Sequence, residues 1–146
     1  MVEEGKPAPD FELKSDRGEL VSLSSLRGRP VVLYFYPKSD TPGCTAQACG
    51  IRDSFERFEE RGAVVLGVST DTAESQARFR EKYSLPFTIL ADPNRALGEK
   101  YAVTRPGKDS YERSTFVIDQ DGNVAKVLRR VDPQTHAEQV LAALPQ

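Results

Sequence analysis

The chain has 146 residues, enough for one domain (residues 1–146) with a sizeable core. Its 38% hydrophobic and 29% charged content suits a soluble globular protein. The 20 basic and 22 acidic residues are interspersed, which leaves no basic stripe and argues against a nucleic-acid partner. No apolar run approaches the roughly 18 residues of a membrane span. Met1-Val-Glu-Glu-Gly-Lys lacks the basic-then-apolar pattern of a secretory leader, so a reducing cytoplasm is the expected compartment.

Short elements alternate along the chain. Phe11-Glu-Leu-Lys and Leu20-Val-Ser-Leu flank the turn-rich Ser-Asp-Arg-Gly-Glu, which predicts a small hairpin. Val31 to Tyr36 is a continuous β-branched and aromatic run, the pattern of a strand covered on both faces. Pro42 at a first helical position and Gly62 past the end frame one helix through Ile51, Phe55 and Phe58. Ala63 to Ser69 is a second buried strand. Asp71 with Glu74 resembles a capping box, opening a helix to about Tyr83. Pro86 to Leu90 reads as a short strand and Asn94 to Tyr101 as a short helix. Ser114 to Asp119 and Asn123 to Leu128 flank Gln-Asp-Gly, a hairpin turn. Pro133 to Leu144 closes the chain as an amphipathic helix carrying Val140, Leu141 and Leu144 on its apolar stripe. The order βαβαβαββα behind a hairpin predicts an α/β fold, a mixed central sheet flanked by helices on both faces. Its functional crevice belongs beyond the carboxyl ends of the strands, where Pro37 to Cys44 connects strand to helix.

Cys44 and Cys49 are the only cysteines. Cys44 falls in the first turn of the predicted helix, where unpaired N–H groups and the helix dipole stabilise a thiolate. The alternative is an inert buried thiol, since free cysteine is among the most buried residue types; the helix-start position and the polar loop before it favour the reactive one. A metal site is the weaker reading, because Cys-x4-Cys lacks ligand spacing and the single histidine, His136, is remote and reads as a solvated helix residue. In a regular helix, residues five apart have Cα atoms about 8.7 Å apart. A disulfide needs about 7 Å or less. Bonding of Cys44 to Cys49 therefore requires local unwinding, which Gly50, costing about 1 kcal/mol relative to Ala, would ease. Thr41 reads locally as a helix cap, and Arg113 as a solvated charge at a strand edge.

The segment Pro37-x3-Thr41-x2-Cys44 resembles the active-site motif of the peroxiredoxins. Tyr34-Phe-Tyr-Pro-Lys, Thr-Pro-Gly-Cys-Thr and the second cysteine five residues on are similar to the bacterioferritin comigratory protein (PrxQ) subfamily. The likeness continues through Gly67-Val-Ser-Thr-Asp, Phe87-Thr-Ile-Leu-Ala-Asp and Arg113-Ser-Thr-Phe-Val-Ile-Asp. It implies a thioredoxin-like fold, Cys44 as peroxidatic and Cys49 as resolving cysteine. Thr41 would hydrogen-bond the peroxide, Pro37 shield the pocket and Arg113 serve as the active-site arginine. Gln47 stands where many relatives carry Glu, which removes a charge, and Thr104 to Glu112 is short and polar where relatives often have aromatic residues. The implied activity is reduction of hydrogen peroxide and organic hydroperoxides through a Cys44 sulfenic acid and a Cys44–Cys49 disulfide. Thioredoxin or another dithiol would recycle it, in a monomer, with no metal, haem or flavin cofactor.

Overall fold

The computed structural model describes residues 2–144. Its organising element is a strand of five consecutive buried residues, β3 (Val31–Phe35), each burial stabilising by about 1.5–3 kcal/mol for the larger side chains. Only a strand covered on both faces can be so uniformly apolar. It lies third in a five-stranded sheet of order β5-β4-β3-β6-β7, with β4 (Val64–Ser69), β5 (Thr88–Ala91), β6 (Ser114–Ile118) and β7 (Val124–Leu128). The β3–β4 and β4–β5 pairings are parallel, and β3–β6 and β6–β7 antiparallel. The N-terminal hairpin pairs β1 (Glu12–Lys14) with β2 (Leu20–Ser22). The expected mixed sheet and hairpin are both present.

Alternation along β3 sends its side chains into two cores. Val32, Tyr34 and Tyr36 pack with Cys44, Ala48 and Ile51 on one face. Val31, Leu33 and Phe35 pack with Phe11, Leu97 and Tyr111 on the other. Helices α1 (Pro42–Asp53), α2 (Phe55–Glu60), α3 (Ala73–Lys82) and α5 (His136–Ala143) contribute to the first core; α4 (Ala96–Lys100) and the segments around the hairpin contribute to the second.

Three local expectations are corrected. The single helix from Pro42 to Gly62 is broken at Ser54 (φ −105°, ψ 8°), whose N–H is shared between the Gly50 and Ile51 carbonyls. That tightened turn joins α1 to α2 while Ile51 and Phe58 both stay fully buried. The cap of α3 is Thr72, whose hydroxyl accepts from the Ser75 N–H at 3.2 Å; Asp71 is drawn instead to the loop before α1, accepting from the Ser39 N–H. Helix α4 starts at Ala96, because the Asp92 carboxylate takes the Leu97 and Gly98 N–H groups.

The same carboxylate accepts the Tyr111 hydroxyl. Gly98 makes room for that ring, since a Cβ there would overlap it. Tyr111 lies two residues before Arg113, so this buried contact fixes the chain as it enters β6.

Candidate active site

Strand β3 runs out at Tyr36, the chain turns at Pro37, and α1 begins at Pro42 with Cys44 in its first turn. Thr41 is extended (φ −98°, ψ 156°), and its carbonyl accepts the first helical bond from Thr45 at 2.8 Å. No acidic side chain lies in that turn to offset the positive end of the helix. Cys44 is 1% exposed.

Arg113, in chain order 69 residues away, reaches this turn. Its Nη1 donates to Cys44 Sγ at 3.4 Å and to Gln47 Oε1 at 2.7 Å. Gly43 permits the approach: a Cβ there would lie 3.0 Å from Arg113 Nη2. The reading of Arg113 as a solvated edge charge is therefore overturned. Gln47, fully buried one turn after Cys44, holds the guanidinium with a neutral amide oxygen. The charge missing at this position is not needed for the contact, because a carbonyl oxygen accepts from a guanidinium as a carboxylate does.

Thr41 does not cap α1. Its hydroxyl turns back and donates to the Lys38 carbonyl at 2.8 Å, which leaves its oxygen lone pairs free to accept. Pro37 and Arg113 both line a cavity of about 630 Å³ whose rim carries Arg105, Arg130, Glu112 and Val131. The polar stretch before β6 thus contributes a cation where an aromatic wall was the family pattern.

Cys49 lies in the same unbroken helix as Cys44, and both thiols are free. Cys49 is partly exposed. Helical geometry keeps the pair beyond bonding reach in this state. Among the described residues no group of three or more His, Cys, Asp or Glu is placed to hold a metal ion, and no helix is long and apolar enough to cross a membrane.

Residues 4–127 match the model of the AhpC/TSA family. The chain is 46% identical to the peroxiredoxin Bcp of Bacillus subtilis over 149 aligned positions, covering 98% of this chain and 95% of the relative. It superposes on the peroxidoxin BcpB of Mycobacterium tuberculosis with a TM-score of 0.91 at 37% identity, covering 98% and 96% of the two chains. It superposes on the bacterioferritin comigratory protein of Xanthomonas campestris, a structure bearing on alkyl peroxide reduction, with a TM-score of 0.89 at 32% identity, covering 97% and 96%. The chain belongs to the AhpC/TSA family, among its Bcp/PrxQ peroxiredoxins.

A peroxiredoxin is a thiol-dependent peroxidase, and its thioredoxin-like sheet with an N-terminal hairpin is the one described above. Sequence reasoning left two side chains of this peroxiredoxin's interior misplaced or incomplete. Gln47 stood out only as a lost charge; its grip on Arg113 gave no local signal, because that partner is 66 residues away. His136 was expected in solvent. It is fully buried, its Nε2 2.6 Å from Thr115 Oγ1 and its ring 5.5 Å from that of Tyr34. Burial, and next the Arg113 charge, depress its pKa to about 3, so the imidazole is neutral at pH 7.

Proposed function

We propose that this peroxiredoxin reduces hydrogen peroxide and organic hydroperoxides with Cys44 as the attacking thiolate and Cys49 as the resolving thiol. The observation that carries the assignment is the Arg113 guanidinium 3.4 Å from a sulfur in the first turn of α1. The thiolate attacks one peroxide oxygen; the O–O bond breaks, Cys44 becomes a sulfenic acid, and the other oxygen leaves as water or an alcohol after taking a proton. Arg113 and the helix terminus stabilise the charge that develops on the departing oxygen. Thr41, its own proton engaged by Lys38, accepts the hydrogen bond of the peroxide O–H. Pro37 walls the approach. Cys49 then displaces water from the sulfenic acid, forming the disulfide, and an external dithiol such as thioredoxin reduces it while becoming oxidised itself. The cavity beside Arg113 has room for an organic substituent, in keeping with the alkyl peroxide reduction named for the Xanthomonas relative. We place the cycle in a monomer of the cytoplasm, with no bound cofactor.

Peroxide consumption coupled to thioredoxin, thioredoxin reductase and NADPH tests this reading. NADPH oxidation should match peroxide added over many equivalents per chain. Consumption that stops near one equivalent with the full reductant system present would mark a redox sensor instead.

Resolution carries its own expected result. Since Cys44 and Cys49 share a continuous helix, the disulfide must unwind it locally. Hydrogen exchange should show amides from Ala46 to Ile51 losing protection on oxidation, while those beyond Phe55, held by the buried Phe58, change less. A verified Cys44–Cys49 bond with unchanged protection there would refute the unwinding. Oxidised monomer without that bond would point to a thiol from another chain.

A further inference from the structure

Helix α3 is a largely polar segment, yet it sends one amide side chain into the interior. Gln76 is fully buried, and all four of its hydrogen-bonding positions are used. Its Oε1 accepts the Tyr36 hydroxyl at 2.6 Å and the Ser39 hydroxyl. Its Nε2 donates to Ser69 Oγ and to the Leu90 carbonyl, each at 2.9 Å. The Leu90 carbonyl can only accept, which fixes which way the amide faces.

These partners are distributed with purpose. Ser69 ends β4, Leu90 lies in β5 and Tyr36 follows β3, so the amide ties together the carboxyl ends of three parallel strands. Ser39 belongs to the loop that precedes Cys44. The attachment is doubled, because the Ser39 N–H donates to Asp71 Oδ2 at 2.8 Å, and that oxygen also accepts from Ser69 Oγ at 2.5 Å. Tyr36 and Ser39 bracket Pro37 and Lys38, and the Lys38 carbonyl is what turns the Thr41 hydroxyl. A chain of polar groups therefore runs from α3 to the proposed peroxide-binding hydroxyl. Such a network rigidifies only when every member is satisfied.

We propose that Gln76 is a positioning residue for peroxide attack: through Ser39 and Tyr36 it holds the Pro37–Thr41 loop in register with Cys44. The proposal rests on the peroxidatic reading of Cys44. Gln76 touches neither thiol nor substrate. It acts by fixing where Pro37 and Thr41 stand when the O–O bond meets the sulfur, and errors of about 1 Å in such placement can cost up to ~10²-fold in rate.

The test compares two reactions of Cys44. Attack on hydrogen peroxide needs the Thr41 hydroxyl set against the O–O bond, whereas alkylation of Cys44 by iodoacetamide needs only an ionised and reachable sulfur, with no partner in the loop. In Gln76→Met, which keeps the length and removes all four hydrogen bonds, the second-order rate constant with peroxide should fall about tenfold while alkylation stays within about twofold. Ser39→Ala, which leaves the α3 core untouched, should lower the peroxide rate about threefold in the same selective way. Should Gln76→Met fail to fold, Ser39→Ala decides alone. Peroxide rates within twofold of wild type in the folded variants would overturn the proposal. So would peroxide attack and alkylation falling in parallel, since that pattern reports general damage to the site. A wild-type protein without peroxide reactivity would instead defeat the peroxidatic reading itself.

Discussion

Cys44→Ser removes peroxide reduction, lowering turnover by ~10³-fold or more, to background. A serine hydroxyl at the same helix terminus remains protonated near neutral pH, and the Arg113 contact at 3.4 Å cannot make it a comparable nucleophile. Cys49→Ser behaves differently. Cys44 still meets peroxide and forms a sulfenic acid, but nothing in the chain condenses with it, because the sequence holds no third cysteine. That variant should consume about one equivalent, stall, and then pass to sulfinic acid as peroxide rises. Stopped-flow peroxide consumption and intact-mass measurement distinguish the two: mass gains of one and then two oxygens in Cys49→Ser, none at this position in Cys44→Ser. Normal turnover in Cys44→Ser would sink the assignment of the nucleophile, and full turnover in Cys49→Ser would remove Cys49 from the cycle.

Arg113→Ala is the second large effect, a loss of about 10²- to 10³-fold in the rate of peroxide attack. The guanidinium spans two partners, Cys44 Sγ and Gln47 Oε1, and lies over Gly43, where no side chain could replace it. Its removal takes away a fixed charge at the point where the leaving oxygen becomes negative, and it leaves the buried Gln47 oxygen without this donor. Arg113→Lys restores a point charge but not the rigid guanidinium that sets one nitrogen, Nη1, against both groups, so it should recover only part of the rate. Thermal unfolding separates loss of chemistry from loss of fold, because the effect on rate should far exceed any change in stability. A reduction smaller than about threefold in Arg113→Ala would show that the contact with sulfur carries no weight in attack.

What the sequence reveals here follows the range of the interactions. Val31 to Phe35 is legible because five apolar residues in a row suit only a doubly covered strand. The place of Cys44 is legible because Pro42 opens a helix two residues before it. Arg113 became a site residue through the family motif alone; nothing local distinguishes it from the other charges, and its contacts are 66 and 69 residues away. His136 and Gln76 were hidden by their neighbours. Gln76 is a polar side chain among mostly polar neighbours on α3, and His136 opens α5 ahead of its apolar stripe; only the partners supplied by other elements, Thr115 for His136 and Ser39, Tyr36 and Ser69 for Gln76, show that each is interior. Thr41 shows a subtler limit. Its position before Pro42 is that of a cap, but a carbonyl three residues back competes for the same hydroxyl and wins it.

Both ends of the cysteine-bearing segment are moored to the same neighbour. Ser39 is tied to α3 through Gln76, and Arg52 donates to the Tyr83 carbonyl at the far end of α3 at 2.8 Å. The stretch from Pro42 to Ile51 covers about 15 Å as helix, yet the same chain can reach roughly 33 Å when extended. Slack is therefore abundant. Closing a short ring between Cys44 and Cys49 consumes contour length that the moorings never need to supply, so neither has to slip. In the proposed cycle, redox state would be written into a small stretch of backbone between two fixed points while the strands beneath stay still. A reducing partner that discriminates oxidised from reduced protein would then have to read that stretch, since it is the part of the surface the proposed disulfide would change.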